Sequence, residues 1–460
     1  MGKPFHADIT FAHQSNPMDT LLDRSHMRIH LMTLGCRLNE AEMETWSRDF
    51  QALGHAMTKR MEEADLLVVN TCAVTEEAVR KSRKLLSRSS RQNPDARLVV
   101  SGCYASLNPD AAAEIEGVDL VINNQDKGRL VEMVSERLDL SVMPQRATEP
   151  DATGLLSRGR QRAFIKIQDG CRYRCSFCIV TLARGEECSR PAAEIIAEIN
   201  QLQNQGIQEA VLTGVHIGGY GADIDASIPE LIRRILRETD IPRLRIGSVE
   251  PWDLPKDFWT LFDNPRFMPH LHLPLQSGSD SVLRRMARRC RRDEYRRLVD
   301  QARKHVQDIN ITTDIIVGFP GETEEEWRET LEFVEEIGFS DLHIFAYSSR
   351  QGTKAASMPG ALSRETKRQR SQALHQLGER LKRKVLQNHL GHTLPILIES
   401  GDEHGWGGYT PNYLRVKATG PGGVDLKSRI VEVLISGIDE VSLQLQGEVR
   451  NIEVERTPGE

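Results

Sequence analysis

Cysteine is the residue whose placement in this chain points most directly to chemistry. Cys171-x3-Cys175-x2-Cys178 packs three thiols into eight residues. Three thiolates suit three irons of a 4Fe–4S cube, whose fourth iron then lacks a protein ligand. An open vertex is what a catalytic metal centre needs and a structural one avoids. The alternative is a structural zinc site with Cys188 as the fourth ligand. Zinc sites mostly use paired short cysteine spacings, though, and no second pair occurs here. A second trio is dispersed, in Leu34-Gly35-Cys36, Asn70-Thr71-Cys72 and Ser101-Gly102-Cys103. Each of these could be an ordinary small buried hydrophobe. Their common context favours a second three-ligand cluster. Cys188 and Cys290 are not expected to be ligands, and Cys290 is expected on an exposed helix within an arginine run.

The elements that carry these cysteines explain how they could converge. Over residues 28–140 strand-like runs at Arg28–Leu34, Leu66–Val69, Leu98–Ser101 and Asp119–Ile122 alternate with helical patterns. That alternation predicts a flavodoxin-like parallel sheet. The three dispersed cysteines each follow one of its strands, so they lie along one sheet edge, where such folds bind ligands. Residues 163–347 hold about six further strand–helix units, which predicts a partial (βα)6 barrel. Cys171 follows the strand Phe164–Gln168, at the carboxyl end where barrel active sites sit. Residues 391–455 alternate apolar and polar residues between glycine-rich breaks, the pattern of a small antiparallel β-barrel. The expected fold class is α/β. Its parts are a flexible extension (1–26), an N-terminal domain (27–140), a linker (141–162), the barrel (163–387) and a C-terminal barrel (388–456).

Bulk properties narrow the class further. The 460 residues are 39% hydrophobic and 27% charged, with a net charge of −6; that length suggests about two to four domains. No apolar run approaches bilayer length, and the first 26 residues lack a signal-peptide core. The expected location is the cytoplasm, where 8 cysteines imply metal or redox chemistry rather than disulfides. Despite the negative total, arginines crowd residues 284–297, and other basic clusters lie at 80–91, 158–162 and 367–384. These are either solvated helix faces or surfaces for a polyanion.

The CxxxCxxC loop with Phe177 before its last cysteine resembles the radical-SAM superfamily. With the three-cysteine N-terminal domain and the C-terminal barrel, the chain resembles the methylthiotransferases from Met27 to about Glu455. Leu275-Gln276-Ser277-Gly278-Ser279 and Thr313-Asp314-Ile315-Ile316-Val317-Gly318-Phe319-Pro320-Gly321-Glu322-Thr323 support the likeness. The resemblance implies two 4Fe–4S clusters, S-adenosylmethionine (SAM), a nucleic-acid-binding TRAM module and a tRNA substrate. It also implies an electron donor such as flavodoxin or ferredoxin, a source of sulfur, and no membrane partner. Thr213-Gly214-Val215-His216-Ile217-Gly218-Gly219-Tyr220-Gly221 looks most like the branch acting on N6-threonylcarbamoyladenosine. Other branches take N6-isopentenyladenosine or an aspartate of ribosomal protein S12. Outside that class stand a non-catalytic RNA-binding protein with structural metal and a βα-barrel enzyme with an unrelated substrate.

Candidate residues around the cofactors follow from the same likeness. Arg184 and Arg190 could hold a SAM carboxylate bidentately, or could pair with Glu186 and Glu187. Gly214, Glu250 and Gln276 end successive strands and face the expected mouth. Glu250 could accept from ribose hydroxyls and Gln276 could contact SAM, or each could only cap a loop. Asp169 beside Cys171 is the catalytic candidate, for substrate contact or proton transfer.

Overall fold

The computed structural model describes residues 26–138, 140, 161–402, 405–420 and 424–451. The expected extension (1–26) and linker (141–162) lie outside these residues except for His26, Gln161 and Arg162, and Arg162 already opens the first strand of the central body.

The N-terminal sheet is built from strands whose two faces are both apolar. In chain order the elements are β1 (Arg28–Thr33), α1 (Arg37–Ala52), β2 (Ala56–Met57), β3 (Leu66–Thr71), α2 (Glu76–Gln92), β4 (Arg97–Gly102), α3 (Cys103–Leu107), α4 (Pro109–Ala113), β5 (Leu120–Val121) and α5 (Leu130–Arg137). Every residue of β3 is buried, as a central parallel strand covered on both faces requires. The period of two sends Leu66 and Val68 toward Trp46, Phe50 and Val134, and Leu67 and Val69 toward Leu86, Tyr104 and Ala112. The strands run parallel in the order β2-β1-β3-β4-β5, which is the flavodoxin-like order.

The central body begins with β6 (Arg162–Lys166) and the short antiparallel pair β7 (Gln168–Asp169) and β8 (Cys188–Ser189), which brackets the cysteine loop and α6 (Val180–Arg184). There follow α7 (Ala192–Asn204), β9 (Glu209–Thr213), α8 (Ile228–Glu238), β10 (Arg243–Ile246), β11 (His270–His272), α9 (Asp280–Arg285), α10 (Arg292–His305), β12 (Asn310–Val317), α11 (Glu324–Ile337), β13 (Asp341–Ala346) and α12 (Arg364–Gln387). Two parallel sheets, β10-β9-β6 and β11-β12-β13, are bridged at Leu244↔Phe267 and Ser248↔His272. The result is a six-stranded arc, a partial βα barrel. Alternate residues such as Leu244 and Ile246 pack outward on Ile232 and Ile235. Helix starts are well specified: Thr323 and Glu326 form a reciprocal capping box at α11.

The final strands, β14 (Thr393–Asp402), β15 (Gly405–Tyr409), β16 (Arg415–Thr419), β17 (Ile430–Asp439) and β18 (Gln444–Asn451), close into a barrel in the order β14-β15-β16-β18-β17. It is antiparallel except for β16 and β18, which pair in parallel. This barrel seals the amino end of the central arc. Arg243 donates to the Tyr409 and Pro395 carbonyls at 3.0 and 2.8 Å. Asn310 donates to the Asn412 carbonyl at 2.6 Å, and Arg162 lies 4.4 Å over the Tyr409 ring. Among the described residues no helix is long and apolar enough to cross a membrane.

Cys290 departs from expectation. It sits in the turn between α9 and α10 and is 7% exposed, within the apolar core. Arg289 and Arg291 on either side of it are exposed, while its small thiol is covered by the core.

Candidate active site

Three strand ends deliver the dispersed trio. Cys36 follows β1, Cys72 follows β3 at once, and Cys103 opens α3 directly after β4. Local polar groups fix each position. Asn39 donates to the Leu34 and Thr71 carbonyls at 2.7 and 3.3 Å, tying the first loop to the second. Ser82 accepts from the Cys72 amide at 3.1 Å and donates to its carbonyl at 2.9 Å. Gly102 has φ +97°, and a Cβ there would run into the Thr71 backbone, so only glycine lets β4 turn into Cys103. The thiols converge: burial pushes the Cys72 thiol up, and the Cys103 and Cys36 sulfurs add to the shift.

The second trio is clamped as tightly. Cys171 donates its amide to the Gly185 carbonyl at 3.1 Å, and Cys178 donates its amide to the Cys175 carbonyl at 3.0 Å. Burial pushes the Cys171 thiol up to about 12, with Cys178 and Cys175 contributing, and the Cys178 thiol up to about 11. Without a cation these thiols stay protonated; three mutually opposed sulfurs in a poorly hydrated pocket are the donor set a cationic cluster stabilises as thiolates. Both trios therefore fit a three-cysteine iron–sulfur site. Cys188 is exposed on β8 opposite Asp169.

Sequence reasoning missed two residues that hold this loop. His216, 1% exposed, meets Glu187 at 2.5 Å and Asp253 at 2.6 Å. Glu187 accepts from the Arg172 amide at 3.0 Å, and Asp253 accepts from the Tyr173 hydroxyl at 2.7 Å. Burial draws the His216 pKa down, but its two carboxylates outweigh that and hold it above the ordinary value. The other residue is Arg288, visible in the sequence only as one of many arginines. It is buried, lies 4.3 Å over Trp252, donates to Glu250 at 2.6 Å, and reaches to 3.7 Å from the Cys175 sulfur. Glu250 thus already serves Arg288. The run around it is also largely engaged: Arg285 pairs with Glu326, and Arg296 with Glu336 and Asp293.

Arg184 is placed where the sequence did not suggest. Its guanidinium is buried and donates to Glu42 at 3.0 Å, to Asp169 at 2.9 and 3.0 Å, and to Asn39 at 2.8 Å. Its neighbours are the N-terminal domain and Asp169, rather than Glu186 or Glu187. Lys127 and Lys166 complete the network, at 2.5 and 3.3 Å from Glu42. Burial would raise the Glu42 pKa, but Lys127, Arg184 and Lys166 hold it well below the usual carboxylate range. Asp169 is likewise depressed by Arg184 and Lys166 against its burial, so it stands as a charged tether. Arg190 donates to the Lys166 carbonyl at 2.7 Å and to Glu198 at 2.8 Å. Gly214 lets the β9 end approach Gln168, which a Cβ would meet at 3.1 Å. Gln276 turns with φ +79° and donates its amide to the Asp314 carbonyl at 2.8 Å.

The network ties the segments that carry the two trios to each other. Arg184 follows Cys178 on α6, yet both Cys103 and Cys36 lie close enough to raise its pKa. Asn124 donates to the Ala183 carbonyl at 2.7 Å while standing 3.8 Å from the Cys103 sulfur. The loop after Cys72 closes a third side, where the Glu76 amide meets Ser348 at 3.2 Å just beyond β13. Val74, Leu182 and Phe345 are exposed apolar residues on these three segments.

This fold and these cysteines define a class. The Radical SAM superfamily model matches residues 165–334, and the model of an uncharacterized protein family, UPF0004, matches residues 28–123. A radical S-adenosylmethionine methyltransferase, TsrM, from Kitasatospora setae, solved with cobalamin and a 4Fe–4S cluster bound, shares the fold with a TM-score of 0.55 at 18% identity, over 72% of this chain and 77% of that one. Among curated proteins, the threonylcarbamoyladenosine tRNA methylthiotransferase MtaB of Bacillus subtilis is 36% identical over 88% of this chain and 92% of its own. The MtaB of Chlamydia pneumoniae is 33% identical over 90% and 96%. A tRNA-2-methylthio-N(6)-dimethylallyladenosine synthase of Caldicellulosiruptor saccharolyticus is 35% identical over 80% and 82%. The chain belongs to the radical SAM methylthiotransferase family.

Proposed function

We propose that this protein converts N6-threonylcarbamoyladenosine beside the tRNA anticodon to its 2-methylthio derivative. The observation that carries the reading is the Arg184 network, which joins the helix after the loop trio to the helix after Cys36 and so supports one shared cleft. Cys171, Cys175 and Cys178 would hold one 4Fe–4S cluster, and Cys36, Cys72 and Cys103 the other. Bound there, SAM and the first cluster supply a radical able to break an unactivated C–H bond, and the second cluster supplies sulfur.

The chain's own residues set the conditions for that chemistry. Arg288 offers a buried positive charge beside Cys175 and orients Glu250 toward the mouth. The His216 network fixes Arg172 and Tyr173, the residues between the first two loop cysteines. Val74, Leu182 and Phe345 give the cleft an apolar rim on which a nucleobase can rest and displace water. Gly214, Gln276 and Arg190 shape the wall where SAM would lie. Asp169 acts through Arg184 and Lys166 as a positioning residue. The C-terminal barrel, read as a TRAM module, and the basic face of α12 serve tRNA. The reading also carries a cytoplasmic location, an external electron donor of the flavodoxin or ferredoxin kind, and a sulfur source.

Anaerobic cluster reconstitution, incubation with SAM, reductant and tRNA, and mass spectrometry of the nucleosides test the proposal. The expected result is a methylthio mass gain on threonylcarbamoyladenosine. A gain confined to dimethylallyladenosine would move the enzyme to the other branch, and no gain on any adenosine would remove the reading.

A further inference from the structure

Below the cysteine loop, inside the barrel, three side chains from adjacent parallel strands converge. His272 lies on β11, Asp314 on β12 and His343 on β13. Register sets His272 opposite Thr312 and Asp314 opposite His343. Alternation sends all three inward, while Leu271, Ile311 and Ile315 go to the outer core. The His272 Nε2 and His343 Nδ1 atoms stand 3.1 and 3.2 Å from the same Asp314 oxygen. One ligand atom from each residue falls within a sphere where all are within 4.8 Å of one another.

We propose that His272, Asp314 and His343 form a binding site for a divalent transition-metal ion, distinct from both cysteine trios. Imidazole and carboxylate ligands bind a first-row metal at about 2.0–2.2 Å, so neighbouring ligand atoms around one ion lie roughly 3.0–3.5 Å apart. The two nitrogen–oxygen separations have that length. The rings, with centroids 4.9 Å apart and planes at 26°, can both turn a nitrogen to one ion. The second nitrogen of His272, Nδ1, is 2.8 Å from the Thr312 hydroxyl, the outer support that ligating histidines use to fix ring and tautomer. All three ligands ride on strands, so the spacing is held by the sheet rather than by loops. Two nitrogens and one carboxylate suit zinc, iron(II) or manganese(II); calcium and magnesium prefer oxygen alone.

Access and position follow from the same strands. The His343 side chain is 56% exposed, which leaves coordination positions open toward the cleft. His272 is two residues before Pro274, whose carbonyl accepts from the Arg288 that reaches Cys175. Two extended residues span about 6.6 Å, so the ion would sit below the level at which Arg288 meets Pro274, with the Arg288 guanidinium between it and Cys175. Its free positions would take an oxygen donor, either water or a hydroxyl or carboxylate of a molecule in the cleft.

The test uses the full chain with its iron–sulfur clusters assembled, titrated with manganese(II) under anaerobic conditions. Manganese avoids thiolates, and the room-temperature electron paramagnetic resonance of free manganese reports the bound fraction. The expected result is one saturable site per chain, from which one equivalent of zinc(II) displaces manganese. Binding should weaken at least about tenfold in H343A and in D314N, with cluster absorbance unchanged. Histidine 343 lies on an edge strand with its side chain half in solvent, so H343A should fold even if D314N does not. No saturable site, or equal affinity in wild type and H343A, would overturn the proposal and leave the two histidines as hydrogen-bond partners of Asp314. The readout is independent of activity, so its failure leaves the methylthiolation reading intact.

Discussion

Arg184 donates to Glu42 at 3.0 Å across 142 residues of sequence, and both side chains are buried. Glu42 belongs to the helix that begins beside Cys36. Arg184 ends the helix that follows Cys178. One ion pair therefore couples the positions of both cysteine trios.

Removing Glu42 leaves the buried Lys127 without its carboxylate, and removing Arg184 takes away the donor that joins Glu42, Asp169 and Asn39. Glu42→Gln or Arg184→Ala should cost about 3–5 kcal/mol, read by denaturant unfolding of the reconstituted protein. Arg184→Lys should recover little, because one ammonium cannot replace a planar fork that meets Asn39, Glu42 and Asp169 together.

The two trios should load separately. Cys175→Ser should lower bound iron from about eight to about four atoms per chain, and Cys72→Ser should do the same. The double variant should hold almost none. Iron analysis and cluster absorbance measure this; a single variant that lost all iron would mean the two sites depend on each other for assembly.

Gly102→Ala should destabilise by at least about 1–3 kcal/mol, since a side chain must adopt φ +97° and push into the Thr71 backbone. The same shift moves Cys103, so iron at the strand-end site should fall while the loop site stays loaded.

Stability should fall on mild acidification. His389 is buried between α12 and the C-terminal barrel, and burial holds its pKa below the ordinary 6.5. The unfolded chain therefore takes up a proton in a pH range where the folded one does not. Stability from this group is fully present above about pH 6.5 and is lost as pH falls below it. Thermal unfolding from pH 7.5 to 5.5 should show the decline, and His389→Gln should reduce it without abolishing it, because burial also holds His270 and His55 below the ordinary value.

Much of the architecture was legible because it rests on local periodicity. The buried run Leu66–Thr71 and the alternation of strand and helix follow from short-range rules, and the cysteine spacings sit at strand ends that those rules locate. The same reasoning misjudged Cys290, since the arginines around it signal exposure while burial is decided by what α10 packs against. It also could not separate Arg288, beside Cys175, from the arginines next to it that pair with surface acids.

Residue order along the chain was enough to mark the cysteine trios, the parallel sheet and barrel that carry them, and the family. Tertiary structure alone decided that Arg184 faces Glu42 and not Glu187, that His216 sits between Glu187 and Asp253, and that His272, Asp314 and His343 meet. The reason is physical. Spacing along a strand or helix is written in neighbouring residues, whereas contacts between distant elements depend on register, twist and docking that only the assembled chain fixes.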